Sequence, residues 1–230
     1  MDTNRFSRYI LAMNYLIIAS GELGDSSCYA AISRSAERVI CADGGVRHAR
    51  ALNLVPHIVI GDLDSLDDRD ALFLEQKAVR IIRHPVDKDA TDSELAVSWA
   101  MENGASTITL IGAMGKRMDH TLANILLLKQ MADKGISGCV MDGNNEIYLV
   151  SRSLTLAGKP GDYLSIIPVT ETVTDVTLTG LAFPLIRASM TLGSTLGVSN
   201  RFVGSTATVS VGHGILVVSK SRDLPVTRST

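Results

Sequence analysis

Arg38-Val39-Ile40-Cys41-Ala42-Asp43-Gly44-Gly45, followed by Ile58-Val59-Ile60-Gly61-Asp62-Leu63-Asp64-Ser65, states one pattern twice: a short β-branched run that ends in acid and glycine. The pattern extends from Tyr15 to about Ser151, where such runs alternate with longer helical stretches, the signature of parallel βα units. Strands are predicted at 15–19, 38–42, 58–60, 79–82, 107–111 and 138–141. Thr91-Asp92-Ser93-Glu94 reads as a capping box that opens a helix running to about Asn103, with Gly104 as its stop. A second helix is predicted over 119–134, rich in Leu, Ala and Lys and closed by Gly135.

After Ser151 threonine, valine and glycine dominate, and turns such as Gly158-Lys159-Pro160-Gly161 and Gly212-His213-Gly214 separate short runs. That texture predicts an all-β module of roughly six to eight strands, arranged as a small sandwich. The expected organisation is a Rossmann-like parallel α/β domain over 15–148 and a β-sandwich domain over 149–223, packed together without a linker. Residues 1–14 read as a short extension.

The chain has 230 residues and a formal net charge of −2, without the basic excess that would grip a polyanion, so nucleic acid is not an expected partner. Its three cysteines, Cys28, Cys41 and Cys139, are widely spaced and read as reduced, mostly buried thiols of a cytoplasmic protein. The apolar stretch at 15–19 is too short for a signal-peptide core or a membrane span, so no membrane association is expected.

Chemistry concentrates in acids at strand ends, the edge where open α/β sheets bind ligands. Asp43-Gly44-Gly45 alone is an ordinary turn. Asp62 and Asp64, at i and i+2 directly after a strand, can both reach one hydrated metal, whereas Asp67, Asp68 and Asp70 read as solvated surface acid. Asp92 suits the dipole of its helix, but that helix end also attracts phosphate, and Asp87, Lys88 and Asp89 lie on the loop leading into it. Lys88 pairs with one of these acids or touches a phosphate.

Gly112-Ala113-Met114-Gly115-Lys116-Arg117-Met118-Asp119-His120 brings backbone and the charges of Lys116 and Arg117 to a helix start. It is not a Walker A loop, and read alone it is also a basic turn with Asp119 as helix cap. No histidine has a partner at metal-ligating spacing, and no Gly-x-Ser-x-Gly elbow is present. Trp99 follows Leu95 by one helical turn, which predicts core packing. Read alone, Thr195 to Phe202 is a turn with Ser199 and Asn200 at flexible positions. Carboxylates gathered at one sheet edge point to divalent metal and, through it, to phosphate chemistry.

In this order, Cys41-Ala42-Asp43-Gly44-Gly45, Gly61-Asp62-Leu63-Asp64-Ser65, Asp89-Ala90-Thr91-Asp92, Gly115-Lys116-Arg117-Met118-Asp119-His120 and Ser199-Asn200 resemble the motifs of thiamine pyrophosphokinases. The resemblance covers about residues 15–220. It implies a Mg2+-dependent transfer of the pyrophosphoryl group of ATP to the hydroxyl of thiamine, giving thiamine diphosphate and AMP. It also implies an α/β domain, a β-sandwich and a homodimer with active sites between subunits.

By the same resemblance, Asp43, Asp62, Asp64 and Asp92 are the metal and catalytic carboxylates. Lys88, Asp89, Lys116, Arg117 and Asp119 lie on the ATP side, and Ser199, Asn200 and Phe202 on the thiamine side, with Phe202 the aromatic for the thiazolium. The hydroxyl proton goes to Asp92 or Asp89, unless the metal alone acidifies the hydroxyl enough, and the base is left open. Three other readings share these residues: a pyrophosphokinase of a pterin or another alcohol, an Asp-x-Asp nucleotide-sugar transferase, and a non-catalytic nucleotide- or thiamine-binding module.

Overall fold

A computed structural model describes residues 13–222, so most of the expected N-terminal extension lies outside the described residues. Six strands run parallel: β1 (Asn14–Ile18), β2 (Arg38–Ala42), β3 (Ile58–Gly61), β4 (Arg80–Arg83), β5 (Thr107–Ile111) and β6 (Ser137–Met141). Between them lie α1 (Ala30–Ser35), α2 (Val46–Ala51), α3 (Asp68–Gln76), α4 (Asp92–Glu102) and α5 (Met118–Asp133). Eight further strands follow: β7 (Asn145–Val150), β8 (Ser153–Ala157), β9 (Tyr163–Pro168), β10 (Thr172–Thr179), β11 (Leu185–Thr191), β12 (Asn200–Arg201), β13 (Thr206–Ser210) and β14 (Leu216–Ser221).

The strands form two sheets. The larger has the order β12-β9-β14-β7-β6-β5-β1-β2-β3-β4, the smaller β11-β10-β13-β8. The parallel sheet therefore does not stop where the composition changes. β7 turns back antiparallel on β6 and carries the same sheet into the C-terminal half, where the smaller sheet covers it. The expected division at 148/149 falls inside β7.

Alternate residues of the parallel strands feed two cores. Tyr15, Ile17, Ile40, Ile58, Ile60, Ile108 and Leu110 pack under α4 and α5, while Leu16, Ile18, Val39, Cys41, Val59 and Ile111 pack on the other face with Tyr29, Val46 and Leu74. Burial on both faces explains why these strands read as unbroken apolar runs. Trp99 packs against the first core, its ring centroid 6.5 Å from that of Tyr15. A third core fills the sandwich with Leu164, Ile166, Val173, Val176, Leu178, Val209, Leu216, Val218 and Phe202.

Several expectations need correction. Asp70 is not surface acid: it is 2% exposed and pairs with Arg50 at 3.2 Å, while Asp67 caps α3 by accepting from the Asp70 amide at 2.7 Å. Cys28 is exposed. Asp119 is the second residue of α5, whose cap residue is Arg117. The capping box at α4 is half made: Thr91 accepts from the Glu94 amide at 3.2 Å, but the Glu94 carboxylate accepts from Gln130 instead of returning to Thr91. Among the described residues no helix is long and apolar enough to cross a membrane.

Candidate active site

Strand register delivers the acids. Ala42 pairs with Ile60 and Gly61 with Arg83, so Asp43, Asp62 and the loop after β4 leave the sheet at one edge. Gly61 makes the approach possible, because a Cβ there would lie 2.9 Å from the Asp43 Cβ. Two non-glycine residues beside it, Asp43 (φ 44°) and Leu63 (φ 69°), adopt left-handed backbone, a strain that the surrounding fold sustains at functional sites.

Asp43, Asp62 and Asp92 each offer a carboxylate oxygen, all within 4.8 Å of one another. At an effective dielectric of about 20, each like-charged pair at that spacing repels by roughly 3 kcal/mol, so the trio demands positive charge. Lys88 supplies some, its Nζ lying 3.0 Å from Asp62 Oδ2 and 2.7 Å from Asp92 Oδ1. Hydrogen bonding from Lys88 and from the Asp64 amide lowers the pKa of Asp62. Asp92 goes the other way: burial raises its pKa, and Lys88 opposes that only in part. Burial also opposes the charge on Lys88, but the two carboxylates outweigh it and its pKa is raised.

Asp43 is 6% exposed, and its buried Oδ1 has no hydrogen-bond partner. A buried carboxylate oxygen left bare among two other carboxylates fits a hard divalent cation with oxygen ligands. Asp64 stands apart from the trio; it is exposed, and its Oδ1 accepts from Ser65 Oγ at 3.1 Å. Asp89 is exposed as well.

Beside the acids, where the chain order switches direction between β5 and β1, lies a cavity of about 380 Å3. Such switch points are where open α/β sheets bind nucleotides. Its walls include Gly21, Arg47, Ser93, Gly115, Lys116 and Arg117. The glycine loop is pinned by backbone bonds from Gly21 to Gly112 (2.7 Å) and Glu22 to Met114 (3.0 Å), and by Asn124 donating to the Ala113 carbonyl at 2.7 Å. Gly112 has φ 62°, and a Cβ on it would sit 2.5 Å from the Ala19 carbonyl oxygen. Lys116 is almost fully exposed, and Arg117 forms a two-bond fork with Asp119 (2.6 and 3.3 Å).

The sequence reading missed Arg47, which reaches the cavity from the helix after Asp43-Gly44-Gly45 and donates to the Ser20 carbonyl. Position was its only signal, one turn past a strand-end acid. His48, solitary in the sequence, braces the loop after β1: its Nε2 lies 2.7 Å from the Gly21 carbonyl, and its pKa is lowered, chiefly by burial.

The thiamine-side residues behave differently. Phe202 is 2% exposed and packed in the sandwich core against Gly158, so its ring is not free to stack on a ligand. Asn200 is equally buried and braces a loop, accepting from the Phe183 amide at 3.0 Å and donating to the Phe183 carbonyl at 2.7 Å. Ser199 is exposed at φ 59°. The aromatic presented outward here is Phe183, 63% exposed and unnoticed in the sequence reading. From β12 to β2 is seven strand spacings, roughly 30 Å, so the structure does not bring this loop and the acids of one chain together.

Acids, glycine loops and a switch-point cavity on the carboxyl edge of a parallel sheet that continues into a β-sandwich define an α/β phosphotransferase class. Two family models match the chain: "Thiamin pyrophosphokinase, catalytic domain" over residues 29–140 and "Thiamin pyrophosphokinase, vitamin B1 binding domain" over 151–216. Thiamine pyrophosphokinase of Bacillus subtilis (strain 168) is 34% identical over 172 residues, which span 74% of this chain and 80% of that protein. A crystal structure of thiamine pyrophosphokinase from B. subtilis superposes with a TM-score of 0.83 at 30% identity, covering 92% of this chain and 100% of the other. That of the Geobacillus thermodenitrificans enzyme gives 0.80 at 32% identity, covering 92% and 98%. The chain belongs to the thiamin pyrophosphokinase family.

Proposed function

We propose that this chain transfers the pyrophosphoryl group of ATP to the hydroxyl of thiamine with Mg2+ held by Asp43, Asp62 and Asp92, and that its active site is completed by a second copy. The observation that carries the reading is the trio of carboxylates within 4.8 Å, one with a bare buried oxygen. Mg2+ there would neutralise charge on the polyphosphate. The nucleotide lies in the cavity between the loops after β1 and β5, with Arg47, Lys116 and Arg117 near its phosphates. The thiamine oxygen attacks the β-phosphorus, the bond to the α-phosphate oxygen breaks, and AMP leaves.

Asp92 lies in the trio with a raised pKa, whereas Asp89 is exposed, which favours Asp92 as the acceptor of the hydroxyl proton. Asp64 acts from the rim of the site. Phe183 replaces Phe202 as the proposed face for the cationic thiazolium, and Ser199 precedes Asn200, which bonds the Phe183 backbone. The separation between Phe183 and the acids supports a homodimer in which each site joins the carboxylates of one copy to the sandwich loop of the other. Residues 15–148 are then the nucleotide and metal part, and 149–223 the thiamine-binding and dimerising part. Three free thiols suit a cytoplasmic setting.

The direct test is product analysis. ATP, Mg2+ and thiamine are expected to give AMP and thiamine diphosphate in one-to-one ratio. Release of ADP with thiamine monophosphate, or AMP formation indifferent to thiamine, would refute the reading. A pterin or a sugar acceptor in place of thiamine should give no AMP.

A further inference from the structure

The acids of the site are not empty-handed in the structure. Lys88 bridges Asp62 and Asp92 at 3.0 and 2.7 Å with only 14% of its side chain exposed. Among the described residues no other cation pairs with any of the three acids of the cluster. Both oxygens of Asp62 are engaged, Oδ1 by the Asp64 amide at 3.2 Å and Oδ2 by Lys88. A divalent ion entering the cluster therefore meets an ammonium already seated on two of its three acids. An ion that takes Asp62 Oδ2 or Asp92 Oδ1 as a ligand comes within a few ångströms of the ammonium, and the two repel. The ammonium sits on a flexible four-carbon stem with three donors, which suits it to leave one anion for another, and a phosphate oxygen is a ready acceptor.

We propose that Lys88 is the resident cation of the cluster: it holds Asp62 and Asp92 together without metal, yields their oxygens to the incoming ion, and is freed to meet the polyphosphate that accompanies it. Lys88 thus makes the site a poor binder of bare metal and a better binder of metal together with nucleotide. The proposal rests on the metal reading of the cluster given above.

The test titrates Mn2+ alone into the full-length protein without nucleotide, following free Mn2+ by electron paramagnetic resonance. Lys88→Met should bind Mn2+ at least about tenfold more tightly than the wild type, because the competing charge is gone. Lys88→Arg, which keeps the charge, should bind as the wild type does. The metal-free Lys88→Met protein should melt at a lower temperature, and Mn2+ should raise that temperature more than it raises the wild type's. A Lys88→Met chain that folds only with Mn2+ present would also support the proposal. Mn2+ binding that is unchanged or weaker in Lys88→Met, or a chain that misfolds equally with and without the ion, would overturn it. If the wild type and Lys88→Met both fail to bind Mn2+ alone, the proposal falls; the metal reading falls with it only if thiamine-dependent AMP release also proceeds without any divalent ion.

Discussion

Truncating Phe202 to alanine should cost about 3–5 kcal/mol of unfolding free energy, the usual range for emptying a buried aromatic site, and urea denaturation would measure it. Phe183→Ala should leave stability within about 0.5 kcal/mol. Its effect belongs to KM for thiamine, expected to rise roughly tenfold for the loss of one aromatic face from a cation. Equal effects of the two substitutions on KM would return Phe202 to the ligand. His48 gives a signal in pH. Its pKa in the folded protein lies below the ordinary value, chiefly through burial, so the unfolded chain binds the proton more readily. Stability from this group is complete above the unfolded pKa of about 6.5 and is lost as pH falls from there through the lower folded value. Melting temperature should therefore drop between pH 7 and 5, and less so in His48→Gln. Asp43, Asp62 and Asp92 could be picked out in advance because each follows a strand or opens a helix, and local pattern records that. Which of Phe183 and Phe202 faces inward depends on cross-strand packing with Gly158 and Asn200, which no local pattern records.

Thr91 fixes the start of α4 and, with it, the place of Asp92. Thr91→Ala should cost about 1 kcal/mol through the lost cap, while Thr91→Ser should be nearly neutral. If the cap also aims Asp92 at its neighbours, the alanine variant will need more Mg2+ for half-maximal rate, a measurement separate from its melting temperature. The parallel strands were legible from Tyr15 onward, most plainly β1, β2 and β3, where burial on both faces writes an apolar run; β4, at the sheet edge, is mostly exposed. The helices before α4 were not. α1 and α2 are six residues each and α3 nine, of which only Asp70 and Leu74 are buried, so none carries a hydrophobic period long enough to read. β7 was hidden for a different reason: it lies across the expected boundary, before the change of texture at Ser151, and pairs with β6 on one side and β14 on the other.

The ten-stranded sheet sets the acids and the Phe183 loop near opposite ends of one chain, so the proposed chemistry needs two chains. That arrangement can be tested with two crippled variants. Asp62→Asn removes a carboxylate and leaves the sandwich loop intact, whereas Phe183→Arg sets a repelling charge against a cationic substrate and leaves the acids intact. Each alone should lose at least about a hundredfold in thiamine-dependent AMP release, as removal of a key electrostatic group does. When the two are unfolded together and refolded as a mixture, half of the sites in each mixed dimer combine intact acids with an intact loop. Recovery of AMP release to a substantial fraction of the wild-type rate, at equal protein concentration, is the expected result. A mixture no more active than the average of its two parents would contradict the shared site.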